Sequence, residues 1–255
     1  MTRWIAIPAL ALVLSFAVAG CGNSQPTGEK PVLKVSAAAS LQDAFERYAK
    51  QFGAADAQLQ FAGSDALAAQ IRHGARPAVF AAANTKLPGQ LHDEGLVETP
   101  VVFATNELVI AVPSGSTSVK SLADLDRRGV KIAAGSASVP VGSYTRQVLG
   151  KLPPAERDAV LANIRSSEPD VKGVVGKVST GAVDAGFVYS SDVRASGGRL
   201  RAIALPKNLE PVVAYGIAVV KGSDDPSAAA KFVDRLLSAS GQKILRDAGF
   251  GPPPS

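Results

Sequence analysis

Thiols are almost missing from this chain: one cysteine, Cys21, in 255 residues forbids any intrachain disulfide. Histidine is nearly as rare. His73 and His92 stand far apart, without a carboxylate spacing that resembles zinc ligation, and both are expected at the surface. No G-x-S-x-G, no G-x-x-x-x-G-K-[ST] and no G-x-G-x-x-G occurs, which excludes the nucleophile elbow, the P-loop and the dinucleotide fingerprint. General acid–base and covalent catalysis therefore lack their usual agents, and no catalytic residue, cofactor or enzyme activity is expected. Carboxylate catalysis alone stays open, though no spacing suggests it. Lysine and arginine exceed aspartate and glutamate by 27 to 22, a net charge of +5. The excess is scattered, and the densest spots are Arg127-Arg128 and the stretch 199–201. No basic cluster interleaved with aromatics offers a nucleic-acid surface, so no nucleic-acid partner is expected.

Long hydrophobic runs are limited to residues 5–19, which follow Arg3 and are interrupted by Pro8 and Ser15. The run has the length of a secretory signal and is short for a membrane span. It leads into Val18-Ala19-Gly20-Cys21, small residues directly before the single cysteine, which resembles the lipobox of bacterial lipoproteins. That resemblance implies a signal peptide over 1–20 and acylation of Cys21. The lipid on Cys21 would hold an exported protein at the outer face of the cell membrane or in the periplasm. Residues 21–31, polar with two prolines, read as a flexible tether. The remainder, in a chain 46% hydrophobic and 19% charged, is globular and large enough for one big domain or two lobes.

From Val32 onward, strands of about five residues alternate with amphipathic helices. A strand over 32–39 is apolar on both faces. The helix expected over 40–52 places Leu41, Ala44, Phe45, Tyr48, Ala49 and Phe52 on one side, with Ser40 as its cap and Asp43 as a capping-box partner. Further strands are expected over 58–61, 78–83, 106–113, 130–133, 165–168, 184–188, 200–205 and 212–220. Helices are expected over 66–73, with Ser64 at the cap, and over 86–94, 143–149, 153–164, 171–178, 226–237 and 240–248. Asp170 caps the one that begins at Val171. This alternation predicts an α/β fold with largely parallel sheets.

Ligands of such sheets bind beyond the carboxyl ends of the strands, at helix N-termini. The turns at Ser40, Ser64, Val141, Val171 and Tyr189 lie at ends of that kind and are spread over both halves of the chain. Facing lobes would bring them together. The resulting cleft would offer hydrogen-bond donors alone: the hydroxyls of Ser40, Ser64 and Tyr189, and backbone N–H groups near Ser40, Val141 and Val171. A fully ionised tetrahedral oxyanion accepts on every oxygen, so donors alone suit it.

Seven stretches carry a family resemblance: AAASL at 37–41, FAGSDALAAQI at 61–71, VFAAAN at 79–84, NELVIAVP at 106–113, SVPVGSYTRQVL at 138–149, DVKGVVGKV at 170–178 and DAGFVYSSD at 184–192. In this combination and order the chain resembles the ModA family, molybdate-binding lipoproteins of bacterial ABC transporters. The resemblance implies a two-lobed type II periplasmic-binding-protein fold with the ligand cleft between the lobes. Lobe I would comprise 32–105 and 216–255, and lobe II 106–215, with hinges near 104–108 and 213–217. It implies molybdate or tungstate as ligand, an ABC permease and ATPase as partners, and a monomer. Ser40 would then give a hydroxyl and an N–H, Ser64 and Tyr189 hydroxyls, and Val141 and Val171 N–H groups. These five residues would contact the metal only as its oxyanion. Ala78 and Asn84 depart from the family, which often has aspartates there, and Val141 stands where alanine is common. Two alternatives remain at this stage: a phosphate or sulfate receptor of the same fold, and an exported ester hydrolase on a related one. Asp65 or Asp192 directed into the cleft would favour phosphate.

Overall fold

The computed structural model describes Met1 and residues 30–254, so the expected signal segment, Cys21 and the tether before residue 30 lie outside the described residues. In chain order the first elements are β1 (Val32–Ala38), α1 (Gln42–Phe52), β2 (Asp56–Ala62), α2 (Ser64–Arg72), β3 (Val79–Ala82), α3 (Lys86–Asp93) and β4 (Val101–Asn106). Then come β5 (Leu108–Pro113), β6 (Ile132–Gly135), α4 (Pro140–Gly150), α5 (Pro154–Asn163), β7 (Ile164–Glu168), α6 (Val171–Ser179), β8 (Ala185–Tyr189), α7 (Ser190–Ala195) and β9 (Leu200–Ala204). The last three are β10 (Val213–Val219), α8 (Pro226–Leu237) and α9 (Ala239–Asp247).

Among the described residues the strands form two five-stranded sheets, ordered β2-β1-β3-β10-β4 and β7-β6-β8-β5-β9. The chain passes between them twice, through Glu107 after β4 and through 205–212 before β10. The expectation of largely parallel sheets is corrected. β1 is parallel to β2 and β3, and β6 to β7 and β8, but β10 and β5 run antiparallel to both of their neighbours. These two strands are buried on both faces, so their apolar composition reads the same in either direction. No sequence repeat accompanies the repeated strand order.

Three local expectations change as well. Residues 39–41 form a 3-10 turn, and α1 begins at Gln42 without a side-chain cap. Ser40 is thereby carried inward, where its Oγ lies 2.9 Å from Tyr215 Oη, and Asp43 pairs with Arg47 instead of closing a capping box. At α2, Gly63 is the cap and Ser64 the first helical residue, whose Oγ accepts the Ala83 N–H at 3.1 Å. The strand expected over 106–113 is divided at Glu107, whose N–H donates to Asn106 Oδ1 at 2.9 Å, and the strand β4 before it was not anticipated. Helix α4 starts at Pro140, whose missing N–H costs nothing in a first turn.

The core behind the first sheet is aromatic. Helix α1 turns Ala44, Phe45, Tyr48 and Phe52 inward, the period of one helix face. Tyr48 meets Phe232 of α8 edge-on at 4.8 Å between centroids and donates its hydroxyl to the Phe232 carbonyl at 2.7 Å. From there Phe45, Phe103, Tyr215 and Tyr189 follow one another at 6.0, 6.1 and 5.8 Å. The last step crosses from the first sheet to the second.

Candidate anion-binding site

Ser40, Ser64, Val141, Val171 and Tyr189 all line one cavity between the two sheets, together with Gly63, Val139, Pro140, Asp170 and four alanines, Ala38, Ala39, Ala62 and Ala83. The cavity volume is about 20 Å³. That is far below the ~300–1,000 Å³ typical of sites for drug-sized ligands, and a small ion is the fitting occupant.

Each wall is placed by a strand that ends at a helix. Val141 is the second residue of α4 and Val171 the first of α6. N–H groups at these positions have no intrahelical acceptor and lie at the positive end of the helix dipole. Asp170 caps α6 by accepting the Gly173 N–H at 3.0 Å, two residues beyond Val171. Ser64 Oγ already accepts from Ala83, so its own proton is left to donate. Tyr189 is 1% exposed, and its hydroxyl is buried with no hydrogen-bond partner among the described residues. Burial holds the phenol well above its ordinary pKa, so it remains a neutral donor.

Neither aspartate that would favour phosphate lines the cavity. Asp192 is buried, accepts the Tyr189 N–H and pairs with Lys172 Nζ, each at 3.2 Å. Burial pushes its pKa from 3.8 up to about 6, against the pull of Lys172 and the backbone donor. The folded state therefore holds this proton more tightly than the unfolded chain. The stability from this group is full below about 3.8 and is lost as pH rises through about 6. Thermal melts of the ligand-free protein and an Asp192→Asn variant should show the unaltered protein losing more stability between about pH 5 and about pH 7.5. Parallel pH profiles would contradict this.

Two residues were not singled out from sequence. Tyr215 lies inside an apolar strand and reads there as core. Asn106 reads as a strand start. The structure puts the Tyr215 hydroxyl beside Ser40 and Asn106 behind that hydroxyl, with Asn106 Nδ2 donating to Ser191 Oγ at 2.8 Å and to Tyr215 Oη at 3.4 Å.

Two α/β sheets joined by two crossings, with a small cavity at helix starts between them, define a solute-binding protein. The chain belongs to the ModA group of the bacterial extracellular solute-binding protein family, whose family model matches residues 33–251. It is 35% identical to the molybdate-binding protein ModA of Mycobacterium bovis, covering 98% of this chain and 100% of that protein. The molybdate-binding protein ModA of Escherichia coli is 30% identical, with 97% and 98% covered. The solved Azotobacter vinelandii periplasmic molybdate-binding protein matches with a TM-score of 0.79 over 87% of this chain and 100% of that one. At 22% identity this last likeness concerns the fold. Among the described residues, no helix is long and apolar enough to cross a membrane.

Proposed function

We propose that the protein captures molybdate, or tungstate, outside the cytoplasm and delivers it to the permease and ATPase of an ABC transporter. It would do so as a monomer tethered to the membrane through lipid on Cys21. The observation that carries this reading is the Tyr189 hydroxyl, buried, neutral and partnerless at a cavity too small for an organic ligand. A buried donor without an acceptor costs about 1–3 kcal/mol, and an oxyanion removes that cost. Ser40, Ser64 and the N–H groups of Val141 and Val171 complete a set of donors from both sheets. At roughly 1.5–3 kcal/mol for each bond to a charged group, about five to seven bonds approach the ~12 kcal/mol of nanomolar affinity. Tungstate, with the same charge and nearly the same size, would be held alike. Phosphate, which keeps a proton near neutral pH, gains no carboxylate acceptor from Asp65 or Asp192, and the one carboxylate that lines the cavity, Asp170, has its Oδ1 engaged by the Gly173 N–H.

Calorimetric titration of the purified protein with molybdate, sulfate and phosphate tests this. Ser40→Ala and Tyr189→Phe are each expected to weaken molybdate binding by roughly 1.5–3 kcal/mol. Tyr189→Phe should leave the ligand-free melting temperature unchanged or higher, because it removes an unsatisfied buried hydroxyl. Unchanged affinity in both variants would sink the site assignment, and sulfate binding as tightly as molybdate would remove the size selectivity.

A further inference from the structure

The polar groups behind Ser40 form a chain whose direction can be read from one backbone proton. Glu107 N–H can only donate, and it lies 2.9 Å from Asn106 Oδ1. The Ser190 hydroxyl also donates to that oxygen at 2.9 Å. The amide is thereby oriented, and its NH2 end faces Ser191 Oγ at 2.8 Å and Tyr215 Oη at 3.4 Å. An amide nitrogen offers donors only, so Tyr215 Oη accepts on that side. Its single proton is left for Ser40 Oγ at 2.9 Å. Ser40, 5% exposed, then receives a hydrogen bond from behind and keeps its own proton for the cavity it lines. Burial holds Tyr215 well above the ordinary pKa of a phenol, so the proton needed for this relay stays in place.

We propose that Tyr215, oriented by Asn106, is a positioning residue that fixes the Ser40 hydroxyl as a donor into the cavity and thereby biases the site toward oxyanions without a proton. This rests on the assignment of Ser40 as an anion ligand. The relay starts at Asn106, where the chain first crosses between the sheets, and draws on Ser190 and Ser191 of α7, the helix that follows β8 of the second sheet. The donor character of a residue on one wall is thus set partly by groups on the other. Without the Tyr215 hydroxyl, Ser40 is free to rotate its proton away from the cavity and to accept from a protonated ligand instead.

A double-mutant cycle read by calorimetry with molybdate, with hydrogen phosphate as a second probe, tests the proposal. Tyr215→Phe is expected to weaken molybdate binding roughly tenfold when Ser40 is present, and by less than about twofold in a Ser40→Ala background. The ratio of molybdate to hydrogen phosphate affinity should fall in Tyr215→Phe, a change that loss of packing alone would not produce. Asn106→Ala, which unfixes the Tyr215 proton, should act in the same direction, more weakly, and again only when Ser40 is present. Melting temperatures of all variants establish that each is folded. Equal losses in both backgrounds, or no loss in either, would overturn the relay while leaving the anion site standing. A Ser40→Ala variant with full affinity would remove both.

Discussion

A Gly63→Ala variant will bind molybdate roughly a hundredfold more weakly than the unaltered protein, although neither sheet is disturbed on its own. Gly63 has φ −58° and ψ 135°, a conformation open to any residue, so the constraint is space and not backbone freedom. It sits at the turn between β2 and α2, and a methyl group there would overlap the carbonyl oxygen of Pro169, come within 2.8 Å of Asp65 Oδ1, the end of a side chain in its own helix, and lie 3.3 Å from Val139 Cγ1. Pro169 and Val139 belong to the opposite wall, at the starts of α6 and α4. A backbone oxygen held at a helix start has little room to yield, and overpacking of this kind costs about 1–3 kcal/mol, the upper end of which is the hundredfold stated. The added methyl wedges the walls apart, and donors separated by even an ångström cannot converge on one small anion. Calorimetry gives the affinity, and melting with and without molybdate separates lost closure from lost folding, because a ligand that no longer binds tightly no longer raises the melting temperature. Affinity within about threefold of the unaltered protein would show that the walls need not approach this closely.

Gly142→Ala carries the second large effect, of a different kind. Gly142 follows Val141 in the first turn of α4, and its backbone is packed against the end of β6. A methyl group there would overlap the carbonyl oxygens of Ser136 and Gly135 and reach 2.7 Å from the Gly135 carbonyl carbon. All three are main-chain atoms, so no side chain can turn aside. We expect a loss of about 3 kcal/mol of stability in urea unfolding, the top of the usual overpacking range, together with weakened anion binding as the Val141 N–H is displaced. The pair of variants is diagnostic: Gly63→Ala should harm binding alone, Gly142→Ala both binding and folding. An unfolding midpoint equal to that of the unaltered protein would show that α4 can slide along β6 without loss.

The site residues were legible because each sits at a strand-to-helix turn, where sequence carries a double signal: a change of hydrophobic period and a small or hydroxyl-bearing residue. Val171 is the clearest case, since Asp170 before it caps α6 as expected. The same signal misled in detail at Ser40 and Ser64. A hydroxyl near a helix start reads as a cap, whereas these two find better partners 175 and 19 residues away, Tyr215 and Ala83. Strand direction was not legible, since β5 and β10 are buried on both faces and no pattern in a buried strand says which way it runs. Tyr215 was hidden for the same reason. Among Val213, Ile217 and Ala218 a tyrosine looks like one more core residue, and only the fold puts its hydroxyl beside Ser40.

The strand order of the first sheet also bears on how the molecule is made. β10 lies between β3 and β4 and is the strand through which β4 joins that sheet, yet it is separated from β4 by all of β5 to β9. The second sheet is a continuous stretch of chain and can assemble as soon as residue 204 has emerged. The first must wait for the final forty or so residues, which also bring α8 and α9 onto α1. A nascent chain halted before Val213 thus carries an unpaired β4 edge and a Ser40 with no Tyr215 behind it. The crossing at 205–212, which joins the two walls of the cavity a second time, is therefore fixed only once β10 has been inserted between β3 and β4.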